Sequence, residues 1–313
     1  MATVRENVPA ENFAIDLGSL EHSLRQPRSL FSYVMSFLTG AATIAAMVPL
    51  FSVLYLLIKR GLAGLNWAAF TDLPPAAMMD GGGFGNAIVG TLVIVAIATV
   101  INVPLGILGA VYIADFGADS KIAKAVQFAA KVLTGLRSIL AGVFAFATVV
   151  VVTGGFSAPA GGAALALLML PTIMLTAEEA IKRVPSRMRE AAIGMGATPT
   201  QVVTKVILPT AFPGILTGVR LALARAAGET APLLFTSLFS EFWISRTQPY
   251  FLPKTVADLM KPTASLAVLI YNFSGSPFEN QIAMAWTAAL TLVVLVLVLN
   301  FIGHSISKRY ANH

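Results

Sequence analysis

Six long apolar stretches, separated by shorter polar connections, organise this chain, and each is long enough for a helix that crosses a bilayer, which takes ~20 mostly apolar residues. The first covers residues 31–58 and ends at Lys59-Arg60. It is longer than the apolar core of a signal peptide and reads as an uncleaved anchor. The second covers 87–113, interrupted by Pro104 and Gly106. Beyond it, Lys121, Lys124, Gln127, Lys131 and Thr134 recur at helical spacing, opposite Ile122, Val126, Ala129, Val132 and Leu133. That amphipathic helix is expected to lie along the membrane interface and to continue into a third span ending near Val152. An uncharged turn over 153–162 leads to span four, 163–181. Span five covers 212–239 and span six 282–306, the latter ending at Lys308-Arg309. Residues 262–274 are apolar but too short to cross, and read as an interfacial or re-entrant segment.

Composition agrees with this layout. The 313 residues are 57% hydrophobic and 12% charged, against roughly 25% charged in soluble domains. The mean hydropathy is +0.79. A net charge of +6 would suggest nucleic acid in a soluble protein. In a membrane protein it reflects basic residues kept in cytoplasmic loops, so no nucleic acid is expected. Fourteen of the 21 Lys and Arg lie in segments 1–30, 115–137, 182–210 and 307–313. Both termini are therefore expected in the cytoplasm, although Lys59-Arg60 runs against the rule.

Several chemistries are excluded. The chain has no cysteine, and His22, His304 and His313 are scattered, so neither thiolate chemistry nor a histidine metal site is expected. The run Gly81-Gly82-Gly83-Phe84-Gly85 lacks the Lys-Ser/Thr ending of a phosphate-binding loop and reads as a flexible lead into the second span. Without such a loop the chain is not expected to hydrolyse ATP or to be an enzyme. Nor do paired inverted repeats point to a carrier working alone.

Two places carry function. Residues 185–209 read as two short helices joined at a bend. Gly196 suits the left-handed residue that ends the first. Thr198, Pro199 and Gln201 suit a capped start for the second, which Pro209 is expected to stop. Such an ordered hairpin is either a docking element for a partner or an ordinary interfacial turn. The second place is span five, which carries Arg220, Arg225 and Glu229. Each costs ~2.5–3.5 kcal/mol at the bilayer centre, so they must face protein or water. Arg225 and Glu229, four apart, share one helical face; Arg220 lies about 140° from Arg225. Arginine suits an oxyanion through its planar fork of donors, whereas a structural ion pair is the plainer alternative. Gly228 and Pro232 allow the helix to bend beside this pair.

At these residues the chain resembles a known family. Glu190-Ala191-Ala192, Gly196, Val206, Leu208 and Pro209 have the spacing of the EAA loop of ABC importer permeases, E-A-A-x3-G-x9-I-x-L-P, with Val206 in place of isoleucine. Residues 224–233 resemble the span-five signature of the A-type permeases of phosphate-specific ABC importers. Residues 86–92, Pro104-Leu105-Gly106, Ala110-Val111-Tyr112 and 138–142 resemble the same family, although Arg137 stands where it usually has proline. The resemblance covers about 84–307. It implies an all-α polytopic fold of six transmembrane helices, the type I (MetI-like) permease fold. The chain then divides into an N-terminal tail (1–30), a first transmembrane helix (31–58), a permease core (84–307) and a C-terminal tail (308–313).

The resemblance further implies a bacterial inner-membrane location, with membrane lipid around the spans. The implied partners are a second, C-type permease subunit, a cytoplasmic ATPase dimer that uses the ATP, and an extracytoplasmic phosphate-binding protein. The substrate would be inorganic phosphate, with no cofactor bound by this chain. Loop 185–209 becomes the coupling element seated in the ATPase. Arg225 falls on the family's transport-critical arginine, with Glu229 and Thr230 beside it in the pathway. Arg220 has no firm counterpart.

Overall fold

The computed structural model describes residues 27–79, 81–117, 120–244 and 255–311. The expected tail 1–30 falls almost wholly outside the described residues, as do Arg246, Lys254 and the last two residues. Contacts divide the chain into residues 1–55 and 56–313. Of the first unit the described part is the first portion of helix α1 (Pro27–Gly61), in which Thr39 and Thr43 hydroxyls bond back to the carbonyls of Met35 and Thr39. Such back-bonding satisfies hydroxyls on an apolar helix without an outside partner. The remaining description concerns the second unit.

Its helices are α2 (Trp67–Thr71), α3 (Gly85–Phe116), α4 (Lys121–Thr134), α5 (Ser138–Thr153), α6 (Ala158–Lys182) and α7 (Ser186–Gly194). They are followed by α8 (Pro199–Ala227), α9 (Ala231–Thr236), α10 (Val256–Leu259), α11 (Leu266–Ser274) and α12 (Glu279–Ala311). Among the described residues, α1, α3, α6, α8 and α12 are long and apolar enough to cross a membrane. The pair α4–α5, bent by 110°, gives a sixth when counted as one broken span. The amphipathic helix is followed by apolar α5 through a sharp corner. Arg137 sits at that corner with φ −67° and ψ 138°, within the range a proline ring would impose. The bend therefore survives the missing proline.

Helices α3 and α6 form the centre, and three apolar clusters stack along α3. The first, around Phe84 and Ala87, packs against Leu266, Leu269 and Phe273 of α11 and Ala285 and Ala288 of α12. The middle cluster joins Ile94 and Ala98 to Leu165 and Met169 of α6 and Ala222 and Ala226 of α8. The last joins Ala110 and Ile113 to Ile181, Val202 and Ile207. Small residues bring the helices close, as expected where lipid offers no competing hydrophobic drive. A Cβ on Gly90 would lie 1.9 Å from the Ala264 carbonyl oxygen, so α3 touches the backbone leading into α11 directly. The Thr91 hydroxyl then accepts from the Leu266 amide at 2.9 Å, tying down an otherwise orphaned helix-start donor.

Three local expectations are corrected. The glycine run before α3 is not a loose lead. Gly83 and Phe84 donate to the Leu73 and Ala69 carbonyls, and a Cβ on Gly83 would sit 2.3 Å from the Ala68 oxygen. Glycine there permits a tight backbone crossing. Pro209 does not stop a helix; α8 runs through it for 29 residues. A π-helical turn over Val203–Ile207 precedes it, so the regular segment restarts at Leu208 and the missing proline amide falls where no bond is due. Span five also ends at Ala227 instead of running on to 239, because Gly228 to Thr230 break it before α9.

Candidate functional site

The hairpin between α6 and α8 is built by local capping. After α7, Gly196 takes φ +84°. Its amide donates to the Ile193 carbonyl and that of Ala197 to the Ala192 carbonyl, the paired bonds of a left-handed helix end. Thr198 then caps α8: its hydroxyl accepts from the Gln201 amide at 3.4 Å, and the Gln201 side chain accepts from the Thr198 amide at 3.0 Å. Glu190, Ala191 and Gly196 are exposed on this hairpin, Val206 and Leu208 are half-buried against the core, and Pro209 is exposed. Ala192 is buried inside the chain, so its small side chain serves the packing of α7 on Val202 and Ile207. Glu190 enters no ion pair among the described residues.

The residue that does bind is one the motif passes over. Arg189 Nη1 pairs with Asp115 Oδ1 in the π-helical turn closing α3, and its Nη2 donates to the Ile181 carbonyl at 3.2 Å. Nearby, the buried Glu178 accepts from Gln127 of α4 at 2.7 Å and from Lys182 at 2.5 Å. An acid in an apolar span is itself a signal that could have singled out Glu178. Asp115 and Arg189 are 74 residues apart, and no local spacing announces them.

Helix α8 carries the second site. Residues Thr210, Gly214, Thr217, Leu221, Arg225 and Gly228 recur every three or four positions, and all are exposed. They form one stripe of mostly small and polar side chains along a membrane-spanning helix. Its first half opens on a cleft of about 380 Å³ between α6 and α8, lined also by Thr176, Glu179 and Arg183. At its far end Arg225 Nε donates to Glu229 Oε1 at 3.3 Å, with the Arg225 side chain 45% exposed. Among the described residues, no hydrogen bond uses the two terminal guanidinium nitrogens, which are the donors best placed for a tetrahedral oxyanion. Thr230 follows the break, half-buried, its carbonyl accepting from Leu233 and Leu234 at the start of α9.

Arg220 is not part of this group. It turns onto α12, where a Cβ on Gly303 would meet its Cδ at 2.4 Å, and its Nη2 donates to Thr217 at 3.2 Å. Arg225 and Glu229 are thus paired and Thr230 follows them in the chain, while Arg220 packs against α12. Among the described residues no group of His, Cys, Asp or Glu is arranged to hold a metal.

A family profile described as "binding-protein-dependent transport system inner membrane component" matches residues 25–312. The chain belongs to that family. Within it, the chain is 36% identical over 285 residues to the phosphate transport system permease protein PstA of Yersinia pestis, covering 91% of this chain and 92% of the other. It is 35% identical to the probable PstA of Methanocaldococcus jannaschii, covering 87% and 92%. Among solved structures, a bacterial alginate ABC transporter in complex with its periplasmic protein matches with a TM-score of 0.62 at 17% identity, covering 90% and 95%. An inward-facing MetNI methionine ABC transporter matches at 0.56 and 24%, covering 73% and 94%. The fold is accordingly that of an ABC importer permease, and the chain is a multi-pass membrane protein of the PstA group.

Proposed function

We propose that this chain forms one half of an inorganic phosphate pathway across the inner membrane, driven by ATP that a separate subunit hydrolyses. The observation that carries the reading is the stripe of α8, which ends at an arginine whose terminal donors are free among the described residues. The Thr210 and Thr217 hydroxyls bond back to the Val206 and Pro213 carbonyls, but a guanidinium with free terminal donors is unsuited to lipid. It calls for water and a second, C-type permease subunit across the pathway. Arg225 offers phosphate its paired donors, and Glu229 holds the Nε edge so that the outer edge faces the ion. Thr230 follows at the break that opens the span. The names of the PstA relatives support phosphate as the ion.

Energy enters through 185–209. The exposed face of the hairpin, with Glu190 and Gly196, seats in one copy of an ATPase dimer, and an extracytoplasmic binding protein delivers phosphate to the opposite end. Both termini lie in the cytoplasm, on the side where fourteen of the 21 basic residues gather. The chain itself binds no nucleotide. Phosphate uptake by Arg225→Ala and Arg225→Lys variants tests the reading. Alanine is expected to abolish uptake, and lysine, which keeps the charge and loses the fork, to retain a small fraction. Native uptake in both would sink it, and inhibition by sulfate as strong as by arsenate would reassign the substrate.

A further inference from the structure

We infer that Arg189 is the latch that makes α7 move as one body with the ends of α3 and α6. The inference rests on the reading of α7 as the ATPase-driven element. The helical path breaks at both ends of α7. Before it, Pro185 is extended at φ −58° and ψ 136°. After it, Gly196 has φ +84° and open space where a Cβ would stand. Of its nine residues α7 buries only Ala192. A helix held by one alanine between two joints would swing when pushed, and little of the push would reach the spans.

Arg189 removes that freedom. Its two terminal nitrogens engage two different elements, Asp115 in the turn closing α3 and the Ile181 carbonyl in the last turn of α6. A planar fork offers its two donors in a fixed, wide geometry that the compact ammonium of a lysine does not reproduce. The side chains are 26% and 8% exposed, so the pair is partly withdrawn from water and its attraction is less screened than at a surface. The second Asp115 oxygen is buried without a partner, so removing Arg189 strands the whole carboxylate. Three residues before Ile181, Glu178 joins α4 to the same junction through Gln127. Residues of four helices thus bond at this junction beside α7. Arg189 is a positioning residue: it touches no substrate, and it converts motion of the loop into motion of the spans.

The chain's lack of cysteine allows a direct test. Spin labels at Arg187→Cys on α7 and Leu108→Cys on α3, in the full chain in lipid nanodiscs, report one narrow distance if the latch holds. Arg189→Gln and Asp115→Asn are each expected to broaden it. In the assembled importer both variants are expected to lower phosphate uptake per ATP hydrolysed about tenfold. Arg189→Lys should fall between them and the native chain. A distance that stays narrow in both variants, with native uptake per ATP, overturns the latch. So does loss of ATPase attachment with the distance unchanged, which makes Arg189 a docking contact. A native importer that shows the distance behaviour and takes up no phosphate overturns the functional reading and leaves the latch standing.

Discussion

Two membrane helices of the second unit, α8 and α12, expose faces of opposite chemistry. Over the middle of α12 the exposed residues are Val293, Val294, Leu297, Val298, Phe301 and Ile302. On α8 they are Thr210, Gly214, Thr217, Leu221, Arg225 and Gly228. Exposure in one subunit therefore has two meanings. The α12 face is complementary to acyl chains, which are as apolar as its leucines. The α8 face is the one that the proposed function turns toward water and a second protein surface. On the proposed function the contrast has a simple sense: one face is for the bilayer and the other for a second subunit.

The largest expected effect comes from placing one charge on each face. Leu297→Lys puts an ammonium into hydrocarbon and should weaken insertion by about 2.5–3.5 kcal/mol, on the order of a hundredfold. Leu221→Lys should leave insertion near native, because that side chain reaches water or a partner. Quantifying membrane-integrated against untranslocated chain compares the two; equal losses would erase the distinction. Next in size is the backing of the stripe. A Cβ on Gly218 would lie 1.8 Å from the Thr176 hydroxyl, so α8 rests directly on α6. Gly218→Val should destabilise the chain by about 1–3 kcal/mol through overpacking, read as a lowered Tm in detergent. The smallest effect belongs to the exposed pair Arg183–Glu179 at the mouth of the cleft, 3.8 Å apart. Arg183→Gln should change stability by less than about 1 kcal/mol in the same melt.

Local chemistry was legible in the amino-acid sequence, and long-range chemistry was not. The left-handed Gly196, the Thr198–Gln201 capping box and the Arg225–Glu229 pair all lie within five residues of their partners, where helix geometry alone dictates who meets whom. The EAA spacing identified the hairpin for the same reason. Pro209 misled because a π-helical turn upstream reset the bonding register, an adjustment with no residue code of its own. The glycine run before α3 looked loose because its partner backbone, at residues 68–73, is visible only once the chain has folded back. Arg220 stood out as a charge in a span, but the space that Gly303 leaves for its stem is visible only in the fold. Asp115 and Arg189 stayed hidden because they meet only through the placement of α3 against α6 and α7.

The central claim is that the α8 stripe lines a wet phosphate path, and cysteine accessibility tests it most directly in a chain that begins with none. Single cysteines at Thr217, Leu221 and, for contrast, Leu297 are treated with a membrane-impermeant cationic thiol reagent in the assembled importer. The account predicts modification at 217 and 221 that phosphate slows, and none at 297. Unreactive cysteines on α8, or reaction at all three positions indifferent to phosphate, would contradict it.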